Sequence, residues 1–271
     1  MKKTDMILCV AVLLCIWLLV PIAETQAACR NPNVAGGTAP WFRPVAASKF
    51  VEIKWFGHAF FQITSSSGTK IITDPFRNMG YPMPEVWPDV VTVGKETRNH
   101  SNVTLAKGDP IILRGLKSWG MEWNVINSVV RDVLIYNVPI HMRATYDYIK
   151  GSAFVFEVDG LCICHTGDLG EPFNEDQLDL IGHIDVVLLP IGGSYTMGPE
   201  SAKKVVEQLK PKIAVPMHYY DDKMVLERFL DGPHRARFLK TDAFSVSKDT
   251  LPGATEIFIP NVVWYGWEED L

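Results

Sequence analysis

The sequence predicts an α+β fold in which two mixed β-sheets pack face to face, with helices on the outer faces. Three observations predict it. The first half is rich in short apolar runs that end in Gly, Pro and Asp, which is typical of strands joined by turns. The second half alternates such runs with helical patterns, as βαβ units do. His and Asp residues directly follow several of the predicted strands.

Composition indicates one folded domain and excludes one class of partner. The chain has 271 residues, of which 47% are hydrophobic and 21% are charged, so it can bury a substantial core. Its formal net charge of −5 and lack of a basic block argue against nucleic-acid binding. We therefore expect no nucleic-acid partner. The sequence does not predict the oligomeric state.

Residues 1–28 have the three-part pattern of a secretory signal peptide. Lys2 and Lys3 precede the apolar run Met6–Val20, and small residues end the segment at Ala28. The run is shorter than the roughly 20 residues that span a bilayer. We expect a secreted or periplasmic protein. Two alternatives remain open at this stage, namely an uncleaved signal acting as a membrane anchor and lipid attachment at Cys29.

Cysteine usage predicts no structural disulfide. Cys9 and Cys15 lie in the signal, and Cys29 lies at the start of the mature chain. Cys162 and Cys164 share one face of a predicted strand, where an extended backbone keeps them from bridging easily. We expect these two to be buried in the core, with a metal-binding role as the less favoured alternative.

The first half of the domain predicts successive strands. Residues 29–49, rich in Pro and Gly, are expected to form a linker before a single domain over 50–271. Alternating or β-branched patterns predict strands at 50–56, 60–63, 70–73 and 90–93.

The second half adds a hairpin and a helix. Asp159-Gly160 lies between two strand-like runs and favours a type I′ turn. Apolar residues spaced at i, i+3, i+4 and i+7 predict a helix over 200–210, with Pro199 in its first turn. Buried strands are predicted at 184–189 and 212–216. The tail after Lys223 predicts mixed helix and strand without identifiable chemistry.

Several predicted strands end in residues that suit a polar site. Asp74 follows the third strand, and His100 lies in the loop after the fourth. Asp168 stands between two glycines that let the backbone turn sharply, and His218 follows the strand at 212–216. These side chains are typical metal ligands. The alternative for Asp74, as for His58 and His165, is that the side chain satisfies backbone groups at a strand end.

Five short motifs carry a resemblance to a known family. They are Trp-Phe-Gly-His-Ala at 55–59, Thr-Asp-Pro at 73–75, His-Thr-Gly-Asp-Leu-Gly at 165–170, Pro-Ile-Gly-Gly-Ser-Tyr-Thr at 190–196 and Val-Pro-Met-His-Tyr at 215–219. Together they resemble the metallo-β-lactamase-fold hydrolases. They are most similar to the branch of small metal-dependent hydrolases related to the L-ascorbate-6-phosphate lactonases. The resemblance implies a four-layer αβ/βα sandwich.

The resemblance also implies an altered metal loop. In the family this loop reads His-x-His-x-Asp-His, whereas here Lys95, Thr97 and Asn99 stand at the first three of those positions and only His100 matches. Lys95 could act as a ligand only as a free amine. Deprotonating it at neutral pH costs about 4–5 kcal/mol. The loop therefore predicts that the first of the family's two metals is lost.

The remaining family ligands imply one metal site. The implied ligands are His100, His141, Asp168 and His218. Zinc is the expected ion, with manganese, iron or no metal as alternatives. His58, Asp74 and His165 are expected to orient these ligands from behind.

The implied activity is metal-dependent hydrolysis of a lactone, ester or phosphoester. Asp168, Lys95 and Asn99 are the expected catalytic residues, with the Lys95 ammonium attracting an anionic substrate. The alternative is an inactive family member that serves as an exported binding protein.

Overall fold

The computed structural model describes residues 29–30, 49–142 and 149–266. The expected signal peptide over 1–28 and most of the expected linker lie outside these residues. Among the described residues, no helix is long and apolar enough to cross a bilayer.

The described chain forms sixteen strands and three α-helices, together with short 3₁₀ turns. In chain order the first nine strands are β1 (Val51–Gly57), β2 (Phe60–Thr64), β3 (Lys70–Thr73), β4 (Val90–Val93), β5 (Ile111–Arg114), β6 (Leu116–Lys117), β7 (Glu122–Trp123), β8 (Asn127–Val130) and β9 (Val133–Met142). There follow β10 (Ile149–Val158), β11 (Leu161–His165), α1 (Glu175–Ile181), β12 (Val186–Pro190), α2 (Pro199–Leu209), β13 (Ile213–Met217), α3 (Lys223–Leu230), β14 (Arg235–Phe238), β15 (Ala243–Val246) and β16 (Glu256–Ile259).

These strands form two large mixed sheets, which confirms the predicted fold class. The first sheet has the order β15-β1-β2-β3-β4-β5, and the second has the order β14-β16-β13-β12-β11-β10-β9-β8. β6 and β7 form a separate small hairpin. β3, β4 and β5 are parallel in the first sheet, as β11, β12 and β13 are in the second.

Alternation along the strands sorts side chains between two cores. Ile53, Phe61 and Val90 face the second sheet and join its buried residues, such as Phe156 and Val187, in the main core. Because side chains alternate along a strand, the residues next to Ile53, Phe61 and Val90 point to the opposite face of the first sheet. Both sheets are thereby buried on their inner faces.

The outer face of the first sheet is covered by a loop. Phe60, Ile72 and Val91 pack there against Phe76 and Tyr81, from the segment between β3 and β4. Among the described residues, α1 packs on β9 and α2 packs on β12, so these helices cover the second sheet, and α3 packs on α2. The segment 74–89 contains four prolines, which oppose helix formation.

The local predictions in the second half are confirmed. Asp159 and Gly160 both have positive φ, 51° and 79°, as a type I′ turn requires. Helix α2 begins at Pro199 and buries Ala202, Val205 and Val206.

A disulfide joins Cys29 to Cys162 with a Cα–Cα distance of 5.4 Å, so the expectation of no structural disulfide is wrong. That expectation rested on the close pair Cys162 and Cys164, whereas the partner of Cys162 is Cys29, which lies 133 residues away in the sequence. Cys164 is a buried free thiol, and burial raises its pKa to about 12. Core burial of both strand cysteines is confirmed.

The disulfide closes a long loop and should stabilise the fold strongly. Replacing Cys29 (Cys29→Ser) should lower the free energy of unfolding by about 2–5 kcal/mol, because the unfolded chain gains conformational freedom. Urea unfolding with and without a thiol reductant measures the change. Reductant should destabilise the wild type to the level of the variant and leave the variant unaffected. Equal stability of oxidised and reduced wild type would contradict a structural role.

Candidate active site

The carboxyl ends of five strands converge at one edge of the two packed sheets. The strands β1, β3, β4, β11 and β13 are followed there by polar residues, as expected where parallel strands end together. The residues are His58, Asp74, His100, Asp168 and His218.

Three buried histidines form the centre of this edge. The ring nitrogens of His58, His100 and His218 that could bind a metal lie within 4.8 Å of one another. His58 Nε2 and His100 Nε2 are 3.1 Å apart. Nitrogens bound tetrahedrally to zinc at about 2.05 Å lie roughly 3.3 Å apart. The three rings therefore fit one small divalent ion.

Asp168 lies beside this cluster and contacts both histidine and lysine. Its Oδ2 is 2.8 Å from Lys95 Nζ and 3.1 Å from His100 Nε2. Its Oδ1 is 3.4 Å from His218 Nε2 and accepts no hydrogen bond within the described part of the chain. A buried carboxylate oxygen without a hydrogen-bond donor, next to three imidazoles, fits a site for a cation.

Asp74 supports His100 from behind, as expected. Asp74 Oδ1 accepts a hydrogen bond from the Gly94 backbone N–H at 2.6 Å, and its Oδ2 faces His100 Nδ1 at 3.2 Å. This leaves His100 Nε2 directed at the cluster. Only glycine fits at position 94, since a Cβ there would lie 2.5 Å from the Ser152 carbonyl oxygen.

The charges around the site set different protonation states for the three histidines. Burial alone would lower the pKa of His100, but Asp168 and Asp74 overcome it and raise that pKa to about 9. Burial lowers the pKa of His218 to about 4. Burial, with His218 and His100 nearby, holds the pKa of His58 well below its usual range. In the metal-free protein, His100 is therefore the charged histidine, while His58 and His218 stay neutral.

The Asp168 carboxylate stays ionised despite its burial. Burial alone would raise its pKa, but His100, His218 and Lys95 hold that pKa well below its usual range. The Lys95 side chain is only 13% exposed, so its ammonium is largely enclosed against this carboxylate. The site thus holds a buried anion between two cations.

Two other residues of the loop after β4, Thr97 and Asn99, are hydrogen-bonded to each other. Thr97 Oγ1 donates a hydrogen bond to Asn99 Oδ1 at 2.8 Å. The amide oxygen of Asn99 is thereby already bonded. Of the three expected catalytic residues, Lys95 and Asp168 are in direct contact, whereas Asn99 is bonded within its own loop.

His141 lies outside the histidine cluster. Its ring packs edge-on against Trp123 at a centroid distance of 5.2 Å, and its backbone oxygen accepts a hydrogen bond from the Gly170 N–H at 2.9 Å. His165 also lies apart, since its Nε2 donates to the Ala59 carbonyl at 2.9 Å. The structure therefore brings together three of the four expected ligands, His100, Asp168 and His218.

His58 takes a more central place than the sequence suggested. It was expected to orient the ligands, but its ring lies among them, with its centroid 3.9 Å from that of His218. The sequence signal for this position is its place in the motif Trp-Phe-Gly-His-Ala at 55–59, at the end of β1. His58, Asp74 and His218 all have positive φ, between 39° and 61°. Such strained conformations in non-glycine residues cluster at functional sites.

Comparisons with known proteins agree with the fold. Residues 52–218 match the family model described as a beta-lactamase superfamily domain. A protein of Pyrococcus abyssi, named a UPF0173 metal-dependent hydrolase, is 35% identical over 196 residues, covering 62% of this chain and 84% of that protein. A protein of the same name from Thermococcus onnurineus is 35% identical over 195 residues, with the same coverage.

Two solved structures are also similar. One, from Thermotoga maritima, is assigned as a Zn-dependent hydrolase of the metallo-beta-lactamase superfamily. It is 31% identical, covers 79% of this chain and all of its own, and has a TM-score of 0.61. A second, from Parabacteroides distasonis, is 18% identical with a TM-score of 0.56 and shows likeness of fold alone.

The raised pKa of His100 predicts how stability depends on pH when metal is removed. A folded-state pKa near 9, against 6.5 as the ordinary value, means that protonated His100 stabilises the fold fully below pH 6.5. This contribution, about 3 kcal/mol at most, should be lost as pH rises from 6.5 to 9. Urea unfolding in the presence of a chelator tests it. The His100→Gln variant should lack this loss, and a wild type no more pH-dependent than the variant would contradict the assignment.

Proposed function

The chain belongs to the β-lactamase superfamily, and we propose that it is a hydrolase that works with one divalent metal ion. The observation that supports this most is the buried cluster of His58, His100 and His218 beside the ionised Asp168. The names of the similar proteins, as metal-dependent and zinc-dependent hydrolases, support the same reaction type.

The ion would be held by the three clustered histidines, with the Asp168 carboxylate next to them. Zinc suits an all-imidazole set best, and manganese or iron are the alternatives. Such an ion, when bound, activates water and polarises the oxygen of a scissile bond. This proposal gives His58 the ligand role that the resemblance implied for His141.

Lys95 defines the kind of substrate. Its ammonium stands where the resemblance implies a ligand of a first metal, and its contact with Asp168 keeps it at the site. A fixed positive charge there would bind the anionic group of a small lactone, ester or phosphoester. A phosphorylated lactone fits both this charge and the resemblance to the L-ascorbate-6-phosphate lactonases.

The roles of Asp168 and Asn99 follow from their hydrogen bonds. Asp168 Oδ1 has no donor among the described residues and can accept a proton-bearing group, so Asp168 would orient the attacking water. Asn99 cannot accept a proton at useful pH. Its bond to Thr97 indicates that it shapes the loop and contributes no base.

We also propose that the protein is exported. The signal-peptide pattern and the Cys29–Cys162 disulfide support this together, because structural disulfides persist in oxidising compartments. A sulfur in a disulfide cannot also carry a lipid, so the disulfide favours a secreted or periplasmic protein over one anchored at Cys29.

The second candidate function is an inactive exported binding protein. The Lys95–Asp168 salt bridge favours it, since Lys95 and protonated His100 neutralise the buried carboxylate without any metal. Such a site would bind a small anion without hydrolysing it.

The proposed ligand set contains His58, whereas the set implied by the resemblance contains His141. The two sets predict opposite effects of single substitutions on metal affinity. The protein should contain one equivalent of metal, and His58→Ala should lose at least tenfold in metal affinity because a direct ligand is removed. His141→Ala should keep wild-type affinity. Metal analysis and titration of the purified mature protein test this. Loss of metal in His141→Ala with retention in His58→Ala would refute the proposed ligand set.

A hydrolysis assay distinguishes the two candidate functions, enzyme and inactive binding protein. The protein should hydrolyse at least one member of a panel of lactones, esters and phosphoesters in the presence of zinc, manganese or iron. Lys95→Met should raise KM most for anionic members, by about tenfold for one lost charge contact. A neutral ester of matched size serves as the control substrate. Activity that appears only after restoring the loop with Lys95→His, Thr97→His and Asn99→Asp would favour the inactive binding protein.

A further inference from the structure

The segment after β16 runs back across the first half of the chain and is fastened there. Trp264 Nε1 donates a hydrogen bond to the Met79 carbonyl at 3.0 Å, and the Tyr265 N–H donates to the Gly80 carbonyl at 2.7 Å. A Cβ on Gly80 would lie 2.2 Å from the Gly266 carbonyl oxygen, so only glycine permits this approach. We call residues 262–266 the C-terminal strap.

Tyr220 connects the strap to the histidine cluster. The Trp264 indole packs on the Tyr220 ring at a centroid distance of 6.0 Å. Tyr220 in turn stacks on His58 at 5.5 Å and packs edge-on against His218 at 5.4 Å. The aromatic series therefore runs from the strap to two of the three clustered histidines.

The backbone around Tyr220 requires such support. His218, Tyr220 and Asp221 all have positive φ, of 61°, 49° and 57°. Each such conformation costs of order 1–3 kcal/mol in a non-glycine residue and persists only where surrounding contacts fix it. The packing of Trp264 on Tyr220 supplies a contact of this kind.

Tyr220 and the strap lie outside the matched family region. That region ends at residue 218, so Tyr220 and the strap both lie beyond it. The aromatic support of the cluster therefore comes from a part of the chain that the family model does not describe.

We propose that Trp264 is a positioning residue, which holds Tyr220 against His58 and His218 and thereby preorganises the cluster for a divalent metal. The proposal rests on the metal site proposed above. Trp264 acts through Tyr220 and is not itself a ligand. Residues that orient metal ligands in this way typically change metal affinity by about 10–100-fold when removed.

The test compares two aromatic residues of the strap. Trp264→Ala should weaken zinc binding at least tenfold in a competition titration with a chromogenic chelator, and Trp264→Phe should restore most of the affinity. Tyr265→Ala is the matched control, since the Tyr265 side chain is 75% exposed and its backbone hydrogen bond survives the change. Thermal unfolding of each metal-free variant shows whether it folds. Wild-type zinc affinity in Trp264→Ala, or equal loss in both alanine variants, would overturn the proposal.

A metal-free measurement separates this proposal from the proposed function. In chelator-treated protein, Trp264→Ala should shift the NMR resonances of the His58 and His218 ring protons, which lie beside the Tyr220 ring, while Tyr265→Ala should leave them in place. If the wild type binds no zinc, the proposed metal site fails and these shifts alone decide whether the strap positions the histidines. Unchanged resonances in Trp264→Ala would overturn the positioning role.

Discussion

The site depends on one constraint, which is that the buried Asp168 carboxylate must be balanced by positive charge. A carboxylate removed from water is costly unless cations or hydrogen-bond donors surround it. Lys95 at 2.8 Å and His100 at 3.1 Å supply that charge from the loop after β4. The same carboxylate is what would attract a metal ion to the three histidines. A bound metal and Lys95 would thus both interact with the Asp168 carboxylate. The balance of charge around this carboxylate sets the protonation states of the histidines.

That charge balance explains how the loop after β4 can place a lysine inside a largely buried site. A lysine at this loop position brings an ammonium, whereas a histidine would bring a metal-binding imidazole. The structure keeps the Lys95 side chain in contact with Asp168, so the carboxylate is not left unpaired. The charge of the Asp168 carboxylate is therefore balanced at this position by Lys95 and His100, and a metal, where bound, would use the three clustered histidines beside it.

The sheets and the helix α2 could be predicted from the sequence because their signals are local. Alternating and β-branched runs mark β1 to β4, and helical spacing marks α2. The place of His58 among the ligands could not be predicted, because it depends on a left-handed turn at the end of β1 that no residue pattern reveals. The Cys29 pairing and the Trp264 contact were missed for a related reason. Both join segments that are far apart in the sequence, and packing of the whole chain brings them together.

The disulfide also gives the molecule a mechanical property. Because Cys29 is bonded to Cys162, the chain between them forms a closed covalent ring that carries little of a force applied through the preceding residues. Such a force passes directly to β11, which lies between β10 and β12 inside the second sheet. Tension would therefore act on the strand that leads to Asp168, and strands β1 to β10, which lie inside the ring, would be shielded from it.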